Sequence, residues 1–147
     1  MTPAPRRLLI DTNVFLSAVD AGRPERGKAI QALEDWPAQG VALYTTTQVL
    51  REFLVVATRP TTANGLGLAP PDALSDVAEF AQATTVLPET IDSWRRLLQL
   101  VQEFGLTGVR VHDANIVACA LVNGIGAVVT GNAADFNRLP VEVVDLG

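Results

Sequence analysis

The chain has 147 residues, 48% of them hydrophobic, with a formal net charge of −5 and a pI near 4.7. That length suits one domain with ample material for a core, and no apolar run approaches the ~20 residues of a membrane helix. The acidity excludes a non-specific nucleic-acid binder with a basic stripe, but not a nuclease whose acids surround a metal. The lone Cys119 excludes an internal disulfide and a cysteine-rich zinc site.

The basic start through Arg6 and Arg7 precedes an apolar stretch too short for a signal peptide, so a cytoplasmic protein is expected. A first strand is predicted over 7–10, ending at Asp11, followed by helices over 12–20 and 24–36. A strand over 41–45 leads into a helix over 46–58 that Thr45, Thr46 or Thr47 can cap. Residues 59–71 form the longest irregular piece, a Gly- and Pro-bearing surface loop. Pro70-Pro71-Asp72 opens a helix over 71–83, since proline is tolerated in a first turn. A strand over 84–87 and a helix over 90–105, stopped by Gly105, come next. The helix over 113–123 ends at Asn123-Gly124 and turns into a strand over 126–130. A short helical turn near 133–138 and a strand over 142–145 finish the chain. This alternation predicts an α/β class with a central, mostly parallel sheet and helices on both faces.

Four acids stand where an acid is locally awkward. Asp11 ends Leu8-Leu9-Ile10, Glu52 interrupts Val49 to Val56, Asp113 opens the apolar stretch Ala114 to Val122, and Asp135 follows Ala127-Val128-Val129-Thr130. A carboxylate beside a core costs several kcal/mol unless it is paired or binds a cation. Each has an ordinary explanation: a helix cap for Asp11, a cap or first-turn acid for Asp113, an ion pair for Glu52, a solvated turn for Asp135. Sites in parallel α/β sheets lie at the carboxyl ends of strands, and Asp11 and the Thr130–Asp135 segment both emerge there. If all four meet, they make a hard-cation site able to hold Mg²⁺ and hydrolyse phosphodiesters.

The same residues resemble PIN-domain ribonucleases, and within them the VapC-type toxins of bacterial toxin–antitoxin pairs. Leu9-Ile10-Asp11-Thr12-Asn13-Val14-Phe15 looks like the family's first motif, and Gln48-Val49-Leu50-Arg51-Glu52-Phe53 like its second. His112-Asp113-Ala114-Asn115-Ile116-Val117-Ala118 is similar to the third, and Thr130-Gly131-Asn132-Ala133-Ala134-Asp135-Phe136 to the fourth. The resemblance spans nearly the whole chain, 1–147, as a single domain. It implies a three-layer α/β/α fold, Mg²⁺ or Mn²⁺ dependence and endoribonuclease activity. It also implies Asp11, Glu52, Asp113 and Asp135 as metal ligands, with Asn13, Thr130 and Asn132 in support. Family members differ over which residue of the fourth motif is the ligand; Asn132 carries no charge, which favours Asp135. A homodimer and an antitoxin covering the site are further implications.

Such a site would activate water for in-line attack, leaving a 5′-phosphate and a 3′-hydroxyl. A 2′-hydroxyl route usually needs histidines, and His112 is the only one. Arg51, Arg59, Arg110 and Arg138 lie near the motifs and are candidates for RNA contact, against the plainer reading of solvated arginines. Trp36 and Trp94 read as core or dimer packing. The helices over 24–36 and 46–58 could bind an antitoxin helix. A dehalogenase-like phosphatase is disfavoured because Asn13 replaces its second acid and Lys28 is the sole lysine. A dinucleotide enzyme lacks its glycine-rich turn. The remaining alternatives are a PIN nuclease of RNA maturation or decay without an antitoxin, and a non-catalytic RNA- or protein-binding module.

Overall fold

A computed structural model describes residues 5–147; residues 1–4, within the basic start read above, lie outside the described residues. The elements follow as β1 (Arg7–Ile10), α1 (Thr12–Val19), α2 (Arg26–Ala38), β2 (Ala42–Thr46), α3 (Thr47–Thr58), α4 (Pro70–Ala83), β3 (Thr85–Leu87), α5 (Ile91–Phe104), α6 (Arg110–Val122), β4 (Ala127–Thr130) and β5 (Glu142–Asp145). Short 3₁₀ turns occupy Thr61–Ala63 and Ala133–Asp135.

All five strands are parallel, in the order β3-β2-β1-β4-β5. The chain steps outward from β1 through β2 to β3, then returns across the sheet to β4. Right-handed crossovers in opposite directions put their helices on opposite faces. Accordingly α1 to α4 pack among themselves, α5 packs on α6, and the result is the expected three-layer α/β/α fold. β1 and β4 are central, and β4 is buried along its whole length. Phe15 of α1 stacks on Phe80 of α4 at 4.3 Å between ring centroids, and Phe53 of α3 meets Phe80 edge-on at 5.0 Å. This aromatic cluster fixes the three helices to one another.

Several ends have the causes the sequence suggested. Thr46 caps α3 by accepting from the Val49 N–H at 3.1 Å. Thr90 and Ser93 form a reciprocal capping box on α5, and Gly105 ends that helix in the left-handed region. Most other boundaries shift by one to three residues, and two of the shifts have local causes. α2 runs on through Pro37 to Ala38, because the Gln39 and Gly40 N–H groups close its last turn. α6 starts at Arg110 rather than 113, because residues 107–112 already wind in i→i+3 bonds. Asp113 is therefore a first-turn acid and not the cap.

The loop after α3 is bound back onto that helix. The N–H groups of Leu66, Gly67 and Leu68 donate to the carbonyls of Val56, Arg59 and Ala57. A Cβ at Gly65 would lie 1.9 Å from the Arg59 carbonyl oxygen, so only glycine fits. Among the described residues no helix is long and apolar enough to cross a membrane.

Candidate active site

The reversal of strand order places a crevice at the carboxyl ends of β1 and β4, where open α/β sheets bind ligands. Asp11 leaves β1 directly into α1, and its N–H donates to Val129 of β4 at 3.0 Å. Its carboxylate caps α1 by accepting from the Thr12 N–H at 2.8 Å. The other oxygen accepts from Thr130 Oγ1 at 2.9 Å and Asn13 Nδ2 at 3.2 Å. Asp11 thus does serve as the cap that the bland reading offered, but the cap alone leaves the rest of its surroundings unexplained.

The Thr130 hydroxyl has one proton and gives it to Asp11, while it accepts from Asn13 Nδ2 and the Asn132 N–H. Asn13 Oδ1 in turn accepts from the Gly131 N–H at 2.7 Å. These bonds tie the end of β1 to the end of β4. Asn132 takes part through its backbone, and its side chain is exposed.

α6 must deliver the chain to the start of β4, so its own first turn, with Asp113, lies over the strands' carboxyl ends. α3 leaves the carboxyl end of β2, so Gln48 and Glu52 lie in its first two turns above the same edge. Glu52 accepts from Thr12 Oγ1 at 2.9 Å on one oxygen and from Gln48 Nε2 at 3.0 Å on the other. Asp135, in the turn after β4, is met by Arg110 at 3.1 Å.

The electrostatics link all four acids. Asp11 is only 7% exposed. Burial first, then repulsion from Asp113 and Glu52, pushes its carboxyl up from 3.8 to about 6 against the opposing bonds from Thr12 and Thr130. Asp113 also rises to about 6, through burial, then Asp135, with Glu52 adding and Arg110 opposing. Asp11 thus stands in the fields of Asp113 and Glu52, and Asp113 in those of Asp135 and Glu52, with Arg110 opposing at Asp113.

Among the described residues, no three His, Cys, Asp or Glu side chains gather closely enough to make a ready-made metal cage. The donor set still fits a hard cation that keeps much of its water, because it offers separate carboxylate oxygens and no soft ligand. Buried like charges held by neutral donors are the chemistry such an ion relieves.

The four candidate arginines separate. Arg110 and Arg138 line a small pocket of about 90 Å³ beside Asp135, with Leu106 and Leu139. Arg51 is exposed, about 100° around α3 from Glu52. Arg59 ends α3 and donates to the Asn64 carbonyl at 3.3 Å, serving the loop. Thr12, Gln48 and Asn115 stand within the four motifs but have no role assigned from sequence, and Glu89 has none either. The four-residue spacing of Gln48 and Glu52 puts them on one helix face, a signal available from sequence; Glu89 carried none.

Residues 8–142 match the PIN domain family. No curated protein matches the chain. Among solved structures, a toxin–antitoxin complex from Klebsiella pneumoniae is similar at 28% identity and a TM-score of 0.62, covering 95% of this chain and 98% of that one. A DNA-bound VapBC from Salmonella typhimurium has 19% identity and a TM-score of 0.69, covering 97% and 99%. VapC20 of Mycobacterium tuberculosis, described as a sarcin–ricin-loop-cleaving toxin, has 17% identity and a TM-score of 0.63, covering 82% and 86%. With 8–142 of 147 residues matched and a parallel sheet carrying acids at its β1/β4 crevice, the chain belongs to the PIN domain family.

Proposed function

We propose that this protein is a Mg²⁺- or Mn²⁺-dependent endoribonuclease, acting as one PIN domain over 1–147 and serving as the toxin of a toxin–antitoxin pair in the cytoplasm. The observation that carries the proposal is the convergence of four acids from separate elements at one sheet edge, with Asp11 and Glu52 held by neutral donors and Asp113 in the field of the other acids. In the reaction the oxygen of water bonds to phosphorus and the P–O3′ bond breaks. The 3′-oxygen takes a proton, and the products carry 5′-phosphate and 3′-hydroxyl ends. A divalent cation, when bound, activates the water and offsets charge on the pentavalent phosphorus.

Asp11, Glu52, Asp113 and Asp135 would hold that cation. Asn13 and Thr130 orient Asp11, and Asn132 anchors Thr130 through its N–H. Arg110 and Arg138 would receive a backbone phosphate next to the scissile one in the pocket they line. Arg51 would meet RNA more distantly, and Arg59 has a loop-holding role instead.

The antitoxin proposal draws on the Klebsiella pneumoniae complex and on a cleft of about 310 Å³ between α1, α2 and α4. Val19, Ile30, Leu33 and Phe80 line it beside the charged Arg26, Glu34 and Glu79, a mixed lining suited to an amphipathic helix. Ile91, Trp94 and Leu98 share one exposed face of α5 and support a homodimer.

The test is cleavage of a transfer-RNA and ribosomal-RNA panel by wild type and Asp11→Asn, with and without EDTA. EDTA-sensitive cleavage by wild type alone supports the proposal. RNA binding without cleavage by folded, metal-loaded protein would favour the non-catalytic module.

A further inference from the structure

We propose that Gln48 is a positioning residue that sets the Glu52 carboxylate in register with Asp113, an inference that rests on the nuclease reading above. The Gln48 side chain is 1% exposed, in the first turn of α3. Its Nε2 donates to Glu52 Oε1 and to the His112 carbonyl, each at 3.0 Å. Its Oε1 accepts from Asn115 Nδ2 at 2.6 Å. One amide therefore joins an acid of α3 to the α6 backbone immediately before Asp113.

The direction of this amide is set from outside the site. Asn115 Nδ2 also donates to Glu89 Oε1 at 3.1 Å. Flipping Asn115 would bring its oxygen against the Glu89 carboxylate and against Gln48 Oε1, so Asn115 must donate. Gln48 must then turn its oxygen to Asn115 and both N–H groups to Glu52 and His112. Glu89, just ahead of α5, thus orients an amide relay ending on Glu52.

The relay has a physical task. Glu52 and Asp113 repel one another. Repelling carboxylates on separate helices spread unless something bridges them. An arginine bridge would neutralise the charge that a cation needs, whereas an amide holds position and leaves the charge intact. Thr12 holds the other oxygen of Glu52, so its carboxylate plane is fixed from both sides.

The test compares wild type, Gln48→Met, Asn115→Leu and the double variant. Melting in EDTA, Mn²⁺ affinity by calorimetry, and kcat and KM on a cleaved RNA are read for each. Gln48→Met keeps the chain length without the donor. It should lower Mn²⁺ affinity, and kcat at saturating Mn²⁺, by about 10- to 100-fold while KM for RNA stays put. Asn115→Leu should give a smaller loss of the same kind, and the double variant should be no worse than Gln48→Met alone. Additive losses, or wild-type Mn²⁺ affinity and kcat in either single variant, would overturn the proposal. If Gln48→Met fails to fold, Asn115→Leu decides. If wild type itself neither binds Mn²⁺ nor cuts RNA, the nuclease reading fails instead. The positions of Glu52 in crystals of wild type and Asn115→Leu then decide the relay, an unmoved carboxylate counting against it.

Discussion

Asp11→Asn should abolish cleavage and, without metal, stabilise the protein. Asp11 is buried and its carboxyl stands at about 6 rather than 3.8. A raised carboxyl means that the folded chain binds more protons than the unfolded chain between those two values. Stability therefore falls as pH rises from about 4 to about 6, and the penalty is fully present at pH 7.5. At 1.36 kcal/mol per pKa unit that penalty is about 3 kcal/mol. The amide removes it but turns a donor toward Asn13 Nδ2 and Thr130, which costs back about 1 kcal/mol. A net gain of about 1–2 kcal/mol remains, or roughly 3–7 °C in Tm for a chain of this size. Thermal melts in EDTA at pH 7.5 and pH 5 check it. The gain should be present at 7.5 and shrink toward zero at 5, where the wild-type acid is largely protonated. Mn²⁺ should raise the Tm of wild type and leave the variant nearly unmoved. A variant less stable than wild type at pH 7.5 in EDTA, or equally stabilised at both pH values, would refute the reasoning.

Because Asp11 and Asp113 must lose protons to hold a cation, cleavage at subsaturating Mn²⁺ should rise with pH through about 6 and level off. More Mn²⁺ should move that rise to lower pH, as a pH–rate series at two metal concentrations would show. Arg138→Ala should raise KM for RNA about 3- to 10-fold with kcat kept, and reduce the slope of log affinity against log salt by roughly 0.7. Arg110→Ala should do the same and also shift the pH–rate rise upward, since Arg110 now favours ionised Asp113. Gly65→Ala forces a methyl into the Arg59 carbonyl and should destabilise by about 1–3 kcal/mol in urea unfolding.

Strand positions were legible because β1 and β4 are apolar runs too short for a helix, the pattern of strands buried on both faces of a parallel sheet. The start of α6 was not legible, because Val109 caps it without a side-chain bond and no Ser, Thr, Asp or Asn marks the place. Asp11 and Thr130 could be matched to one edge from strand order alone. Glu52 and Asp113 could not, since their approach depends on how α3 and α6 pack over that edge. Arg110 stood as a candidate RNA contact; its bond to Asp135 spans 25 residues and depends on where the turn at Ala133–Asp135 lies against α6, which no local pattern reveals. The loop over 59–71 read as open surface, yet its backbone bonds run to α3 carbonyls that no local pattern reveals.

The choice of partners around the acids separates a cation site from an ion-pair cluster. Among the described residues, Asp11 and Glu52 accept no hydrogen bond from a basic side chain: their donors are a backbone N–H, two hydroxyls and two amides, all uncharged. Neutral donors fix the direction of a carboxylate without cancelling its charge, and burial first, with repulsion added to it, holds Asp11 and Asp113 raised together. An assembly selected for stability alone would have placed arginines there, or apolar side chains, since paired burial of charge rarely gains over packing. The single guanidinium in contact among the described residues sits on Asp135, whose side chain is 41% exposed and which adjoins the pocket proposed for phosphate. Charge is thus left intact at Asp11 and Glu52 and partly offset by Arg110 at Asp135, the proposed cation holder that also adjoins the phosphate pocket. The same arrangement predicts that the metal-free protein loses stability as pH rises and that a divalent ion restores it, so one titration of Tm against Mn²⁺ at pH 5 and 7.5 probes both.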